Sequence, residues 1–120
     1  MAAMTRPLVA LAALLLLLVA CEQQKQAITE TLPTARAEKA RGDAQVIVAA
    51  VKMYSTTLGA LPDSIEALTA PATVGGVTGG PFLGSVPTPP PGWSAYRYEK
   101  REDGTFQVTS AGEGMTVSAP

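Results

Sequence analysis

A chain of 120 residues with formal net charge −1, no histidine and one cysteine has room for a single domain. It lacks the clustered positive charge that phosphate backbones require, which sets nucleic acid aside as a partner. The missing imidazoles and the solitary thiol remove His-based acid–base catalysis, ordinary zinc sites and an internal disulfide; no nucleophile stands with a matching base, so the chain reads as non-enzymatic and without a cofactor.

Residues Met1 to Arg6 carry one positive charge, and Pro7 to Ala20 form an unbroken apolar run, PLVALAALLLLLVA. Spanning a bilayer takes about 20 apolar residues, so this run suits the core of a signal peptide better than a membrane helix. Its ending, Leu18-Val19-Ala20-Cys21, resembles the bacterial lipobox, with a branched aliphatic residue three before the cysteine and a small residue just before it. In proteins with that motif the thiol is diacylated, the leader is cut in front of it, and the new amino group takes an acyl chain such as palmitate. One chain anchors only marginally, whereas two or more hold firmly. Residues 1–20 are therefore expected to be a lipoprotein leader and Cys21 the lipidated start of the mature chain, tied to a membrane and facing the periplasm. The alternatives are an uncleaved membrane helix with an incidental thiol, or a plain leader cut after Ala20. Glu22 stands where an aspartate would signal retention in the inner membrane, which favours the outer one.

From Glu22 to Pro33 the chain reads EQQKQAITETLP, polar and without a convincing apolar period, so residues 21–33 are expected to be a tether, partly helical. Pro33-Thr34 then offers a helix start, and residues 34–120 form the expected globular domain. Arg36, Glu38, Lys39 and Arg41 make a solvated first half. Ala44, Ile47, Val48, Val51, Tyr54 and Leu58 follow at helical spacing on one face, with Gln45, Lys52 and Thr56 largely on the other. Gly59 suits the residue after the helix, and Pro62 forbids its resumption.

Asp63 or Ser64 is placed to cap a short second helix, SIEALTA, ending at Pro71. The Gly/Pro-rich stretch Pro71 to Pro91 is expected to be an ordered irregular loop pinned by Phe82, Leu83 and Val86. The last third alternates as antiparallel strands: Ser94 to Glu99, a turn at Glu102-Asp103-Gly104, Thr105 to Ser110, a turn over Ala111 to Gly114, and Met115 to Ser118. The fold expected is thus α+β: one long amphipathic helix packed on a small three-stranded antiparallel sheet, with a short second helix and a Gly/Pro-rich loop. The core should join Ile47, Val48, Val51 and Tyr54 to Tyr96, Tyr98, Phe106, Val108, Met115 and Val117.

Asp43, Ile47, Ala50, Tyr54, Gly59-Ala60-Leu61-Pro62, Ile65, Leu68, Gly80-Pro81-Phe82-Leu83, Val86-Pro87, Gly92-Trp93, Tyr96, Tyr98 and Asp103-Gly104-Thr105-Phe106-Gln107-Val108 together resemble the soluble domain of the major pseudopilin of type II secretion systems, related to type IV pilins. The resemblance runs from about Ala37 to Gly112 and implies a long helix against a small antiparallel sheet. It also implies partners among secretion or pilus machinery. True pseudopilins carry a leader ending in Gly ahead of a long apolar helix, whereas the first glycine here is Gly42. The family often binds calcium in an acidic loop near the C-terminus. In the corresponding stretch, Ser110 to Gly114, Glu113 is the sole carboxylate, against the roughly six to eight oxygens that Ca²⁺ takes. No metal is expected, and Glu113 is at most a weak calcium candidate.

Other features have plain readings beside sharper ones. Tyr54, Tyr96, Tyr98 and Trp93 read as packing residues more readily than as an aromatic binding surface. Asp63 and Glu66 read as the charged first turn of a short helix rather than an acid–base pair. Thr88 to Trp93 reads as a rigid approach to the first strand rather than a polyproline ligand, and Glu99 to Asp103 as a solvated hairpin tip. The alternative to a secretion-associated module is an envelope lipoprotein that binds a separate ligand through the loop 75–91.

Overall fold

The structure, a computed structural model, describes the backbone of residues 6–120 and the side chains from Leu32 to Pro120. The side chains of the leader motif, the Cys21 thiol among them, lie outside the described ones. Contacts divide the chain into two units, residues 1–34 and 35–120. Among the described residues, no helix is long and apolar enough to cross a membrane.

The first element is a helix, α1 (Arg6–Leu58), with Pro33 inside it. The expected start at Pro33-Thr34 is therefore corrected. A proline inside a helix costs about 3 kcal/mol, but the flanking Glu, Gln, Lys, Ala and Leu residues are good helix formers. Polarity without an apolar period argues only against a buried helix, not against a helix.

In the second unit, α1 buries Ala37, Ala40, Ala44, Ile47, Val48, Val51, Tyr54 and Leu58, while Gln45, Lys52 and Thr56 face solvent. Ile47 and Val51 are wholly buried, each worth about 1.5–3 kcal/mol of apolar burial. At the helix end the Gly59 N–H donates to the Ser55 carbonyl at 2.8 Å. Gly59 has φ +77, the left-handed conformation that glycine adopts without steric cost.

The second helix is shorter than expected, a single 3-10 turn over Glu66–Thr69. The Ser64 hydroxyl accepts from the Ala67 N–H at 3.2 Å, and Pro71 leaves no room for a further turn. The segment 71–91, expected to be irregular throughout, contains a hairpin of β1 (Ala72–Val74) and β2 (Val77–Gly79). Gly75 and Gly76, at φ 57 and 82, supply the two left-handed residues that a tight hairpin loop demands. The loop is pinned by backbone and side chain together. The Phe82 and Leu83 N–H groups both donate to the Leu68 carbonyl, at 2.9 and 3.0 Å, and Leu83 is buried. Val86 does not join them; it is 36% exposed, a correction to its expected role.

A three-stranded antiparallel sheet follows, ordered β3 (Arg97–Lys100), β4 (Phe106–Gly112), β5 (Met115–Ala119). Val108 pairs with Tyr98 on one side and Ala119 on the other. The first strand begins later than its alternation suggests, because Ser94 is held otherwise: its N–H donates to the Ala111 carbonyl at 2.8 Å, and its carbonyl accepts from the Ser110 hydroxyl at 2.8 Å. The architecture is α+β and pilin-like, a long helix against small antiparallel sheets. The two-stranded hairpin is the addition to what the pattern alone suggests.

Candidate functional site

The side chains expected to form the core fall into two tiers. Ile47, Val48, Val51, Tyr54, Tyr96, Val108 and Val117 are buried, together with Trp93, whereas Tyr98, Phe106 and Met115 are half-buried and pack against that cluster. Tyr54 meets Phe82 edge-on with ring centres 5.5 Å apart, and Tyr98 lies 6.0 Å from Phe106. These four rings are occupied with one another. On the outward face of α1, Val46 and Met53 are more than half exposed.

The charged stretch of α1 from Arg36 to Asp43 is not merely solvated. Lys39 Nζ donates to Asp43 Oδ2 at 2.6 Å and to the Thr88 carbonyl at 2.8 Å, and the Tyr96 hydroxyl donates to the same Asp43 oxygen at 2.6 Å. Burial, then the bond to the Asp43 carboxylate, pushes the Tyr96 hydroxyl well above the ordinary tyrosine range. These contacts fasten the proline-rich approach and the start of the sheet to α1. From sequence, Asp43 figures only in the resemblance and Lys39 only as a surface charge; nothing in either identity reports a partner about fifty residues away.

Asp63 accepts from Lys100 Nζ, and that bond holds its carboxyl below the usual range. A shallow depression beside it is lined by Asp63, Ser64, Ile65, Glu66, Tyr96 and Tyr98. A second lies over Arg97, Tyr98, Glu99, Gln107 and Thr109. Neither of these two is lined by the loop 75–91.

The C-terminal turn is the most elaborated polar site. Gly112 pairs with Met115, and the intervening Glu113 and Gly114 have φ 54 and 75, the geometry of a tight two-residue hairpin. Glu113 Oε1 accepts from Arg36 Nη1 at 2.5 Å, and Oε2 accepts from the Trp93 indole Nε1 at 3.2 Å. The indole hydrogen bond, then the guanidinium, holds the Glu113 carboxyl below its ordinary value. Trp93 itself lies on Gly112: a Cβ added there would come within 2.5 Å of its ring. Arg36 and Gly112 escape sequence reasoning because their roles depend on residues far along the chain.

Calcium does not fit this turn. Both Glu113 oxygens face hydrogen-bond donors, and the Ser110 hydroxyl is spent on the Ser94 carbonyl. Among the described residues, no group of three or more Cys, Asp or Glu stands together as a metal site would need.

Compared with known proteins, the chain matches the model of one family, described as type II secretion system (T2SS), protein G, over residues 27–118. No curated protein matches it, and no solved structure does. The matched span takes in the helix face, the short 3-10 turn, both hairpins and the C-terminal turn, and on that extent the chain belongs to the type II secretion system protein G family, that of the major pseudopilin.

Proposed function

We propose that this protein is a lipid-anchored, pseudopilin-like component of the bacterial cell envelope that associates with type II secretion machinery as a non-enzymatic interaction module. The observation that carries the proposal is the family match over residues 27–118, in a chain where Leu18-Val19-Ala20-Cys21 precedes the matched span. The family is structural rather than catalytic. Acyl chains on Cys21 would hold the module at the membrane, facing the periplasm and, with Glu22 next in the chain, on the outer membrane in preference to the inner.

The experiment has two arms. Cys21→Ser is expected to abolish membrane attachment and leader removal in a fractionated cell; unchanged attachment would overturn the lipid anchor. Purification of the wild-type protein from detergent-solubilised membranes is expected to recover secretion-system components. A monomer recovered alone with a small molecule bound would favour a ligand-binding lipoprotein instead.

A further inference from the structure

Glu113, the one carboxylate of the C-terminal turn, has its two oxygens met by an arginine and an indole. The Arg36 guanidinium pairs with Oε1 and the Trp93 indole with Oε2, so both oxygens of the turn's one carboxylate already have partners. A dissolved cation would have to displace the guanidinium, against the repulsion between like charges. One carboxylate and one guanidinium also leave the turn with balanced charge, so no excess negative charge remains to recruit a divalent ion. The contact joins three parts of the domain: α1 through Arg36, the approach to β3 through Trp93, and the β4–β5 turn through Glu113.

We propose that the Arg36 guanidinium is the resident cation of the C-terminal turn, and that the domain holds this turn against its helix without calcium or any other divalent metal. This goes beyond membership of the family and stands independently of the Cys21 anchor, because it concerns only residues 36–113. The arginine does by an internal side chain what a dissolved ion would otherwise do, so the turn stays fastened whatever the calcium concentration outside the cell.

Trp93 is the chain's single tryptophan, and its emission reports the site directly. The test uses the full chain in detergent micelles, with fluorescence and thermal melting recorded in calcium chloride and in EGTA, and calorimetric titration with calcium chloride. The wild type is expected to give the same emission maximum and melting temperature in both buffers, with no binding heat. Arg36→Ala should shift the emission to longer wavelength and lower the melting temperature by about 2–5 °C, the size of an exposed ion-pair effect in a domain this small. Arg36→Lys should recover part of both. A calcium-dependent rise in wild-type melting temperature, or saturable calcium heat, would overturn the proposal; so would an Arg36→Ala protein indistinguishable from wild type in emission and melting. The wild-type arms decide the metal question even if the variant folds poorly.

Discussion

The sheet has two hairpin turns, and they are closed in different ways. The β3–β4 turn is self-sufficient: Asp103 Oδ1 accepts from the Thr105 N–H at 2.9 Å and from its hydroxyl at 2.6 Å, and the Arg101 N–H donates to the Thr105 carbonyl at 2.8 Å. The β4–β5 turn is closed from outside, by Arg36 on the helix and by Trp93. A turn of the first kind carries its instructions in five adjacent residues. A turn of the second kind forms fully only when the helix and the sheet have met, which makes it a reporter of tertiary assembly.

The strands that carry the two turns pack on one hydrophobic core, and disrupting it should erase the difference between the turns. Val51 is wholly buried, so Val51→Asp places an unpaired charge beneath the sheet and should cost about 3–5 kcal/mol; urea denaturation of the variant should show the domain largely unfolded. A normal transition would mean that Val51 is dispensable to the core. Next in size is Gly112→Ala, which touches only the externally closed turn. Its Cβ would meet the Trp93 ring at 2.5–2.7 Å, and with Trp93 buried the ring has little room to yield, so about 2 kcal/mol should be lost. Trp93 emission should move with it.

Gly104→Ala is the matching change in the self-sufficient turn. Gly104 has φ +84 and nothing within 4 Å of a built Cβ, so the cost is backbone strain alone, about 1 kcal/mol. Trp93 emission should stay unchanged, because the strain does not reach the other turn.

The smallest expected effect is the pH dependence. Hydrogen bonds from the Thr105 hydroxyl and backbone hold the Asp103 carboxyl low, and Glu113 is held low by Trp93 and Arg36. Carboxyls depressed in the folded state add stability that is present above their unfolded values, about pH 4, and is lost as the pH falls through the folded ones. Melting temperature should therefore decline below about pH 4. Glu113→Gln should flatten that decline with a change in Trp93 emission, and Asp103→Asn should flatten it without one. At the alkaline end the sign is opposite. Tyr96 is raised in the folded state, so its contribution is complete below the ordinary tyrosine value of about 10 and fades as the pH climbs above it.

What could be read from sequence follows the same division between local and distant causes. The helix stripe, the Gly59 stop and the Asp103-Gly104 turn depend on neighbours a few residues apart, and their chemistry is written in those residues. The β1–β2 hairpin was equally legible, since Thr73-Val74-Gly75-Gly76-Val77-Thr78 places a Gly-Gly pair between alternating β-branched residues; the surrounding prolines and glycines hid it. Pro33 misleads in the other direction, because a local helix breaker is overridden by good helix formers on both sides. Arg36, Lys39 and Gly112 belong to the class that single-chain reading cannot reach. Their partners, Glu113, Thr88 and Trp93, are fixed only by the fold.

Arg36, Lys39 and Asp43 lie about one turn apart along α1 and reach in succession to Glu113, the Thr88 carbonyl and Tyr96. Small alanines, Ala37, Ala40 and Ala44, are the buried apolar residues beside them, while Ile47, Val51, Tyr54 and Leu58 come later. The helix is thus fastened by charge at one end of the domain and by bulk at the other. Dissolved salt weakens the first fastening and leaves the second almost untouched. Amide protons of residues 36–43 should then exchange with solvent before those of residues 47–58, and the gap between the two rates should widen as salt is added, so that the domain opens from its charged end like a book from its unbound edge.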